Sequence, residues 1–303
     1  MRTVVRILLC VAVAGSAAVG AQEAPSDSNA EYSDRGADTC LACHDDDESL
    51  GLFRTDHAVP SDSRSPFGRG QLQCEACHGP GDAHSARVRR GEERPPILAA
   101  GFAQNALCLD CHDSDVGSGW HGDTHAFEEI GCSDCHSSHT PHDAVAETVT
   151  QAEVCYDCHP LQRSEALRAF SHPLFDGKMS CTGCHSPHDS AADFQLARST
   201  LNDTCYQCHA EKRGPFLWEH APVAEDCSLC HAAHGSNHPG ILSQRAPLLC
   251  QGCHSTLGHP SVLRDAGGIA TAIPSQFLLG QGCMNCHEQV HGSNHPSGST
   301  LMR

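Results

Sequence analysis

Residues 205–234 read CYQCHAEKRGPFLWEHAPVAEDCSLCHAAH. The stretch holds two C-x-x-C-H motifs, with His220 between them and His234 three places after the second. Two thiols separated by two residues reach the two vinyl groups of one porphyrin, and the next histidine then falls beneath its iron. In an exported chain this spacing is the signature of c-type haem attachment. The two remaining histidines are placed to give two irons a second axial bond, so the segment reads as a matched pair of bis-histidine haems.

The same motif occurs ten times. Its members are Cys40, Cys43 and His44; Cys74, Cys77 and His78; Cys108, Cys111 and His112; Cys132, Cys135 and His136; Cys155, Cys158 and His159. They continue as Cys181, Cys184 and His185; Cys205, Cys208 and His209; Cys227, Cys230 and His231; Cys250, Cys253 and His254; Cys283, Cys286 and His287. Together they take twenty of the twenty-one cysteines. A disulfide framework has no reason to place a histidine after every second cysteine. Structural zinc would need quartets of ligands rather than ten copies of C-x-x-C-H.

Ten of the 24 histidines are proximal in this reading, which leaves fourteen for the opposite faces of the irons. A repeat of motif, histidine, motif, histidine selects His57, His84, His125, His139, His172, His188, His220, His234, His259 and His291 as distal ligands. A histidine three residues past a proximal one lies on the same side of its own porphyrin, so it is expected to bind a neighbouring haem. His121, His142, His238 and His295 are left over. His238 and His295 stand in duplicated HGSNHP segments, residues 234–239 and 291–296, where either competes with His234 or His291 for the ligand role.

The intervals between motifs set the architecture. From Cys108 to Cys250 successive motifs begin 22 to 26 residues apart, which is repeat organisation. The expected modules are 40–84, 108–139, 155–188, 205–234 and 250–291. Gly, Pro, Asn and Ser fill the gaps without sustained strand alternation, so the fold class is a multihaem cytochrome c of short helices and loops with little or no sheet. Leu161–Phe170, opened by Pro160, is the best helix candidate. Asp45–Glu48 reads as a solvated acidic turn, and Arg87–Arg90 with Pro95–Pro96 as a surface linker.

Composition agrees with a haem-filled interior. Aromatic residues are 5% and all hydrophobic residues 39% of the chain. That is too little apolar side chain to offset chain entropy over so long a polypeptide, so the porphyrins must form the core of an elongated chain. Met1, Arg2 and Arg6 precede an apolar run that ends at Val19-Gly20-Ala21, as in a secretory signal peptide over residues 1–21. Residues 22–39 read as a flexible leader, and 40–303 as the decahaem domain. Losing Arg2 and Arg6 takes the formal net charge from −18 to −20. Such a surface excludes nucleic acid as a partner and suits basic patches on proteins.

The mature chain resembles the exported decahaem cytochromes of the Mtr/Dms type, the A subunit of metal-reducing conduits and the E subunit of extracellular dimethyl sulfoxide respiration. The resemblance is carried by NDTCYQCHAEKRGPFLWEHAP (202–222), RAPLLCQGCH (245–254) and CMNCHEQVHGSNHPSG (283–298). It implies ten bis-histidine haems in a staggered line inside an outer-membrane β-barrel. It also implies periplasmic or inner-membrane cytochrome donors and a cell-surface multihaem cytochrome or reductase as the other terminus, with current in either direction. An iron closed on both faces has no position for substrate, so electron transfer is expected rather than catalysis. The alternatives are a periplasmic oxidoreductase acting on a small nitrogen or sulfur compound, or a free periplasmic shuttle.

Overall fold

The computed structural model describes residues 31–93, 97, 101–116, 119–188, 192–255, 259 and 282–302. The expected signal peptide and Pro95–Pro96 lie outside them. Every regular element is short. The longest helices are Asp82–Arg90 and Asn105–Val116, and the second is broken at His112, whose φ of −100° and ψ of 15° leave the helical range. No strand forms among the described residues; isolated antiparallel bridges join Phe170 to Ser236, His185 to Leu196, Trp218 to Ser293 and His231 to Leu242.

The motif dictates its own local fold. In nine of the ten copies the histidine N–H donates to the carbonyl of the first cysteine at 2.8–3.0 Å, closing one α-turn. The remaining copy, Cys108–His112, lies inside a helix. Residues three and four apart share a helix face. One turn therefore aims both thiols and the imidazole at the same volume.

Protein packing alone supplies almost no interior. The buried hydrophobic side chains are Ala37, Trp120, Ala152, Tyr156 and Ala166, and no large side chain is fully buried among the described residues. Phe127 and Phe194 are 83% and 86% exposed. Instead, buried polar groups tie the two motifs of a module together. Asn202, three residues before Cys205, accepts from the Cys227 N–H at 2.8 Å and donates to the Val223 and Ala224 carbonyls. Asn105 repeats this before Cys108, accepting from the Cys132 N–H and donating to Ile130. Gln151 does the same work for Thr182, and the Glu75 carboxylate gathers the Ser33 and Gly81 N–H groups.

Four local expectations are corrected. The leader is not flexible to residue 39: Ser33 is bonded to Glu75, the Ala37 N–H donates to Gln73 Oε1, and Ala37–Cys40 is helical. The acidic run is solvated as expected but is not all turn, because Asp46 caps the helix Asp47–Gly51 by accepting from the Ser49 N–H, which also lowers its pKa. The arginine run belongs to the helix Asp82–Arg90, whose Arg90 pairs with Glu92 at 2.8 Å. The helix opened by Pro160 ends at Ala166, because Ala169 and Phe170 turn their backbone to Asn237 and Ser236.

The buried amide of Asn202 generates a prediction. Asn202→Ala leaves the Cys227 N–H and the Val223 and Ala224 carbonyls without their partner, at a cost of about 1–3 kcal/mol. The thermal midpoint of the haem-loaded protein should fall, and an unchanged midpoint would remove Asn202 from the framework.

Candidate functional site

Ten times the structure sets the ring of a proximal candidate against the ring of a distal one. The pairs are His44 with His84, His112 with His57, His78 with His139, His159 with His125 and His136 with His188. They continue as His209 with His172, His185 with His234, His254 with His220, His231 with His291 and His287 with His259. Centroid separations run from 5.8 to 6.5 Å. Two metal–imidazole bonds of about 2 Å, with the half-width of each ring added, span about 6 Å. Each gap therefore fits one iron.

Eight of the pairs cross between modules. The first distal histidine of a module, His57, His125, His172 or His220, faces the first motif of the next module. The second distal histidine of that next module, His139, His188, His234 or His291, reaches back to the second motif of the preceding one. Each junction is thus spanned twice, in opposite directions. Only His84 and His259, in the terminal modules, face a motif of their own module.

The cysteines follow sequence order in space. Cys40 lies beside Cys74 and Cys155 beside Cys181; Cys108 with Cys132, Cys205 with Cys227 and Cys250 with Cys283 are neighbours likewise. Between modules, Cys77 lies near Cys108 and Cys111, Cys135 near Cys158, Cys184 near Cys205 and Cys208, and Cys230 near Cys253. The attachment points form a single file.

Hydrogen bonds fix which ring nitrogen is available. A carbonyl oxygen only accepts, so a ring Nδ1 facing one must carry the proton, and Nε2 keeps its lone pair. His185, His231 and His287 donate in this way to Phe194, Gly240 and Thr300 at 2.9, 2.8 and 2.7 Å. His172 and His220 donate to Ala233 and Val290 at 3.0 and 2.9 Å. Burial lowers the pKa values of His57, His185, His188 and His291, which favours the neutral imidazole a metal needs.

The duplicated HGSN segment is a clip. Ser236 exchanges both backbone hydrogen bonds with Phe170, and Ser293 does the same with Trp218. Asn237 and Asn294 add side-chain acceptors for the N–H groups of Ala169 and Leu217. Each clip thereby ties a backward-reaching histidine, His234 or His291, to a forward-reaching one, His172 or His220. Gly235 and Gly292 have φ of 144° and 131°, and a Cβ there would run into the Glu165 carbonyl and the Phe216 ring respectively. The competitors His238 and His295 serve the clip: their N–H groups donate to the Ser236 and Ser293 hydroxyls, and the His295 carbonyl accepts from Trp218 Nε1. His142 pairs with Glu147 at 2.9 Å. The serines, asparagines and glycines of the clip escaped the sequence reading, although the duplication itself marked them.

A family model described as a doubled CXXCH motif matches residues 125–164, 172–214 and 220–259. Each match starts at a forward-reaching histidine and pairs the second motif of one module with the first of the next. Multiheme cytochrome MtrA of Shewanella baltica (strain OS185) is 43% identical over 281 residues, 90% of this chain and 83% of that protein. The high-molecular-weight cytochrome c of Nitratidesulfovibrio vulgaris (Hildenborough) is 28% identical over 193 residues, 60% of this chain and 31% of its own length. An undecaheme cytochrome from the S-layer of Carboxydothermus ferrireducens is 17% identical over 77% of this chain and 33% of that one, with a TM-score of 0.14.

The clip geometry predicts the effect of one methyl group. Gly292→Ala strains a positive-φ position and drives against Phe216, a penalty of about 1–3 kcal/mol. The expected result is His291 drawn away from His231, seen as carbon monoxide binding to one haem in ten. A variant inert to carbon monoxide would show that the glycine does not set the position of His291.

Proposed function

The chain belongs to the family of the multihaem cytochrome MtrA, carries covalently attached c-type haems and takes part in electron transfer; we propose that it is a ten-station conduit between periplasmic donors and acceptors or donors at the cell surface. The observation that carries this reading is the set of ten opposed imidazole pairs. When bound, each haem supplies an iron that cycles between ferric and ferrous states. In this reading the thioether cysteines and the proximal histidines are those of the ten motifs, and the distal ligands are the ten histidines set opposite them.

The protein's part is to close, orient and space the centres. Two imidazoles per iron leave no face for oxygen, nitrite or peroxide, so charge passes and no substrate is transformed. Carbonyl acceptors at Nδ1 hold the rings in one tautomer and one orientation. The file of cysteines runs in chain order, so the first and fifth modules form the two ends of the path. No helix among the described residues is long and apolar enough to cross a membrane. A β-barrel partner in the outer membrane is the housing that a conduit of this kind requires, and the acidic surface of the chain suits a barrel lined with basic groups.

Two measurements test the assignment. The paired rings fall into groups: His57–His112, His78–His139 and His125–His159 are near perpendicular, at 75°, 87° and 80°, whereas five pairs lie between 10° and 31°. Perpendicular imidazole planes give ferric iron a strongly anisotropic low-spin signal. The electron paramagnetic resonance spectrum of the oxidised protein should therefore hold three such centres. A uniform rhombic spectrum, or any high-spin signal from a vacant face, would count against the ligand set.

The conduit itself is tested by mild detergent extraction and by interrupting the file. The protein should elute with a β-barrel partner, whereas recovery only as a free soluble protein would favour a diffusing shuttle. Cys205→Ala combined with Cys208→Ala should leave nine haems and cut the end-to-end electron transfer rate by at least tenfold. Unimpaired transfer in that variant would sink the linear path.

A further inference from the structure

The second motifs of four successive modules, at His136, His185, His231 and His287, place the same nitrogen in the same role, yet one copy differs in its partner. Nδ1 of His185, His231 and His287 donates to a backbone carbonyl. Nδ1 of His136 meets the Oδ2 of Asp143 at 2.5 Å. The other oxygen of Asp143 accepts from the Ser137 N–H at 3.2 Å, so the carboxylate is held from two sides. The Asp143 side chain is 24% exposed.

We propose that Asp143 is a positioning residue that sets the haem of Cys132 and Cys135 at a lower reduction potential than the haems of the other second motifs. The proposal rests on the reading of His136 and His188 as the axial pair of that haem. A carboxylate pulls the Nδ1 proton more strongly than an amide carbonyl, and a charge-assisted hydrogen bond is about twice as strong as a neutral one. Electron density moves into the ring, and the ligand becomes a better donor to ferric than to ferrous iron. Reduction adds one electron, delivered by the neighbouring haem. No bond to iron forms or breaks, and the Nδ1 proton stays between His136 and Asp143.

Three other carboxylates approach ligand candidates, and geometry ranks them lower; Glu211 stands 3.9 Å from Nδ1 of His209, beyond hydrogen-bond range, and is shared with Lys212. Glu165 stands 3.3 Å from Nδ1 of His234, but Arg168 pairs with the same carboxylate at 3.4 Å and draws off its charge. Asp123 is 3.7 Å from Nδ1 of His125, beyond hydrogen-bond range. Asp143 alone combines a short contact with a carboxylate that pairs with no Lys or Arg among the described residues, which makes this haem the lowest of these four second-motif stations.

The test compares Asp143→Asn and Asp143→Glu in the fully haem-loaded chain by optical redox titration. Asp143→Asn should shift one tenth of the titrating amplitude from the low-potential end to more positive values, and Asp143→Glu should keep the wild-type curve. A ten-haem Asp143→Asn protein that titrates as wild type overturns the proposal, as does an equal shift in both variants, which would mean packing rather than charge. Should Asp143→Asn lose a haem, Asp143→Ser is titrated against the same criterion. His188→Ala separates the two levels of the argument. If it fails to open one haem to carbon monoxide, the axial assignment falls; if it opens one while Asp143→Asn shifts nothing, only the role of Asp143 falls.

Discussion

The facing of imidazoles from two different modules, ring to ring across a gap that fits one iron, is the constraint on which this architecture depends. The chain has almost no apolar interior of its own; the small cluster of Ala152, Tyr156 and Ala166 is its only such core among the described residues. Burial of a few alanines cannot balance the entropy of ordering so much loop. Ten covalently attached porphyrins supply the missing hydrophobic mass, and in the proposed ligand set the histidines on their two faces supply the cross-links. Because that ligand set crosses every junction twice, a module could not swing away from the next without breaking two axial bonds.

Crossed ligation also joins stability to transport. In the proposed ligand set the bonds that hold neighbouring modules together are the bonds that keep neighbouring haems close, so electron hopping and folding share one set of contacts. The HGSN clips show how finely this is arranged. A single pair of backbone hydrogen bonds, at Ser236 with Phe170 or at Ser293 with Trp218, positions histidines for two successive stations. Outside the clips the same task falls to other devices, such as Gly51, whose missing side chain leaves room for the His139 carbonyl.

Uniform ligation does not mean uniform stations. All ten facing pairs are made of two imidazoles, but the ring planes cross at angles from 10° to 87°, and the partners of Nδ1 range from backbone carbonyls to carboxylates. Potentials in such a line are tuned from beyond the ligands, by groups that never touch iron.

The amino-acid sequence by itself determined the cofactor, the number of stations, the ten distal candidates and the short-helix character of the fold. Each of these follows from covalent spacing: C-x-x-C-H closes one α-turn wherever it occurs, and the repeat interval counts the copies. Spacing marks His139, three residues past a proximal histidine, for a neighbouring haem, but it does not say which motif that is, nor that His84, six residues past its proximal histidine, turns to its own module. Nor did it foretell that Phe170 leaves its helix to pair with Ser236, or that Asp143 returns to His136. Those choices belong to the tertiary structure, where contacts between residues distant in sequence form only once the modules are laid side by side.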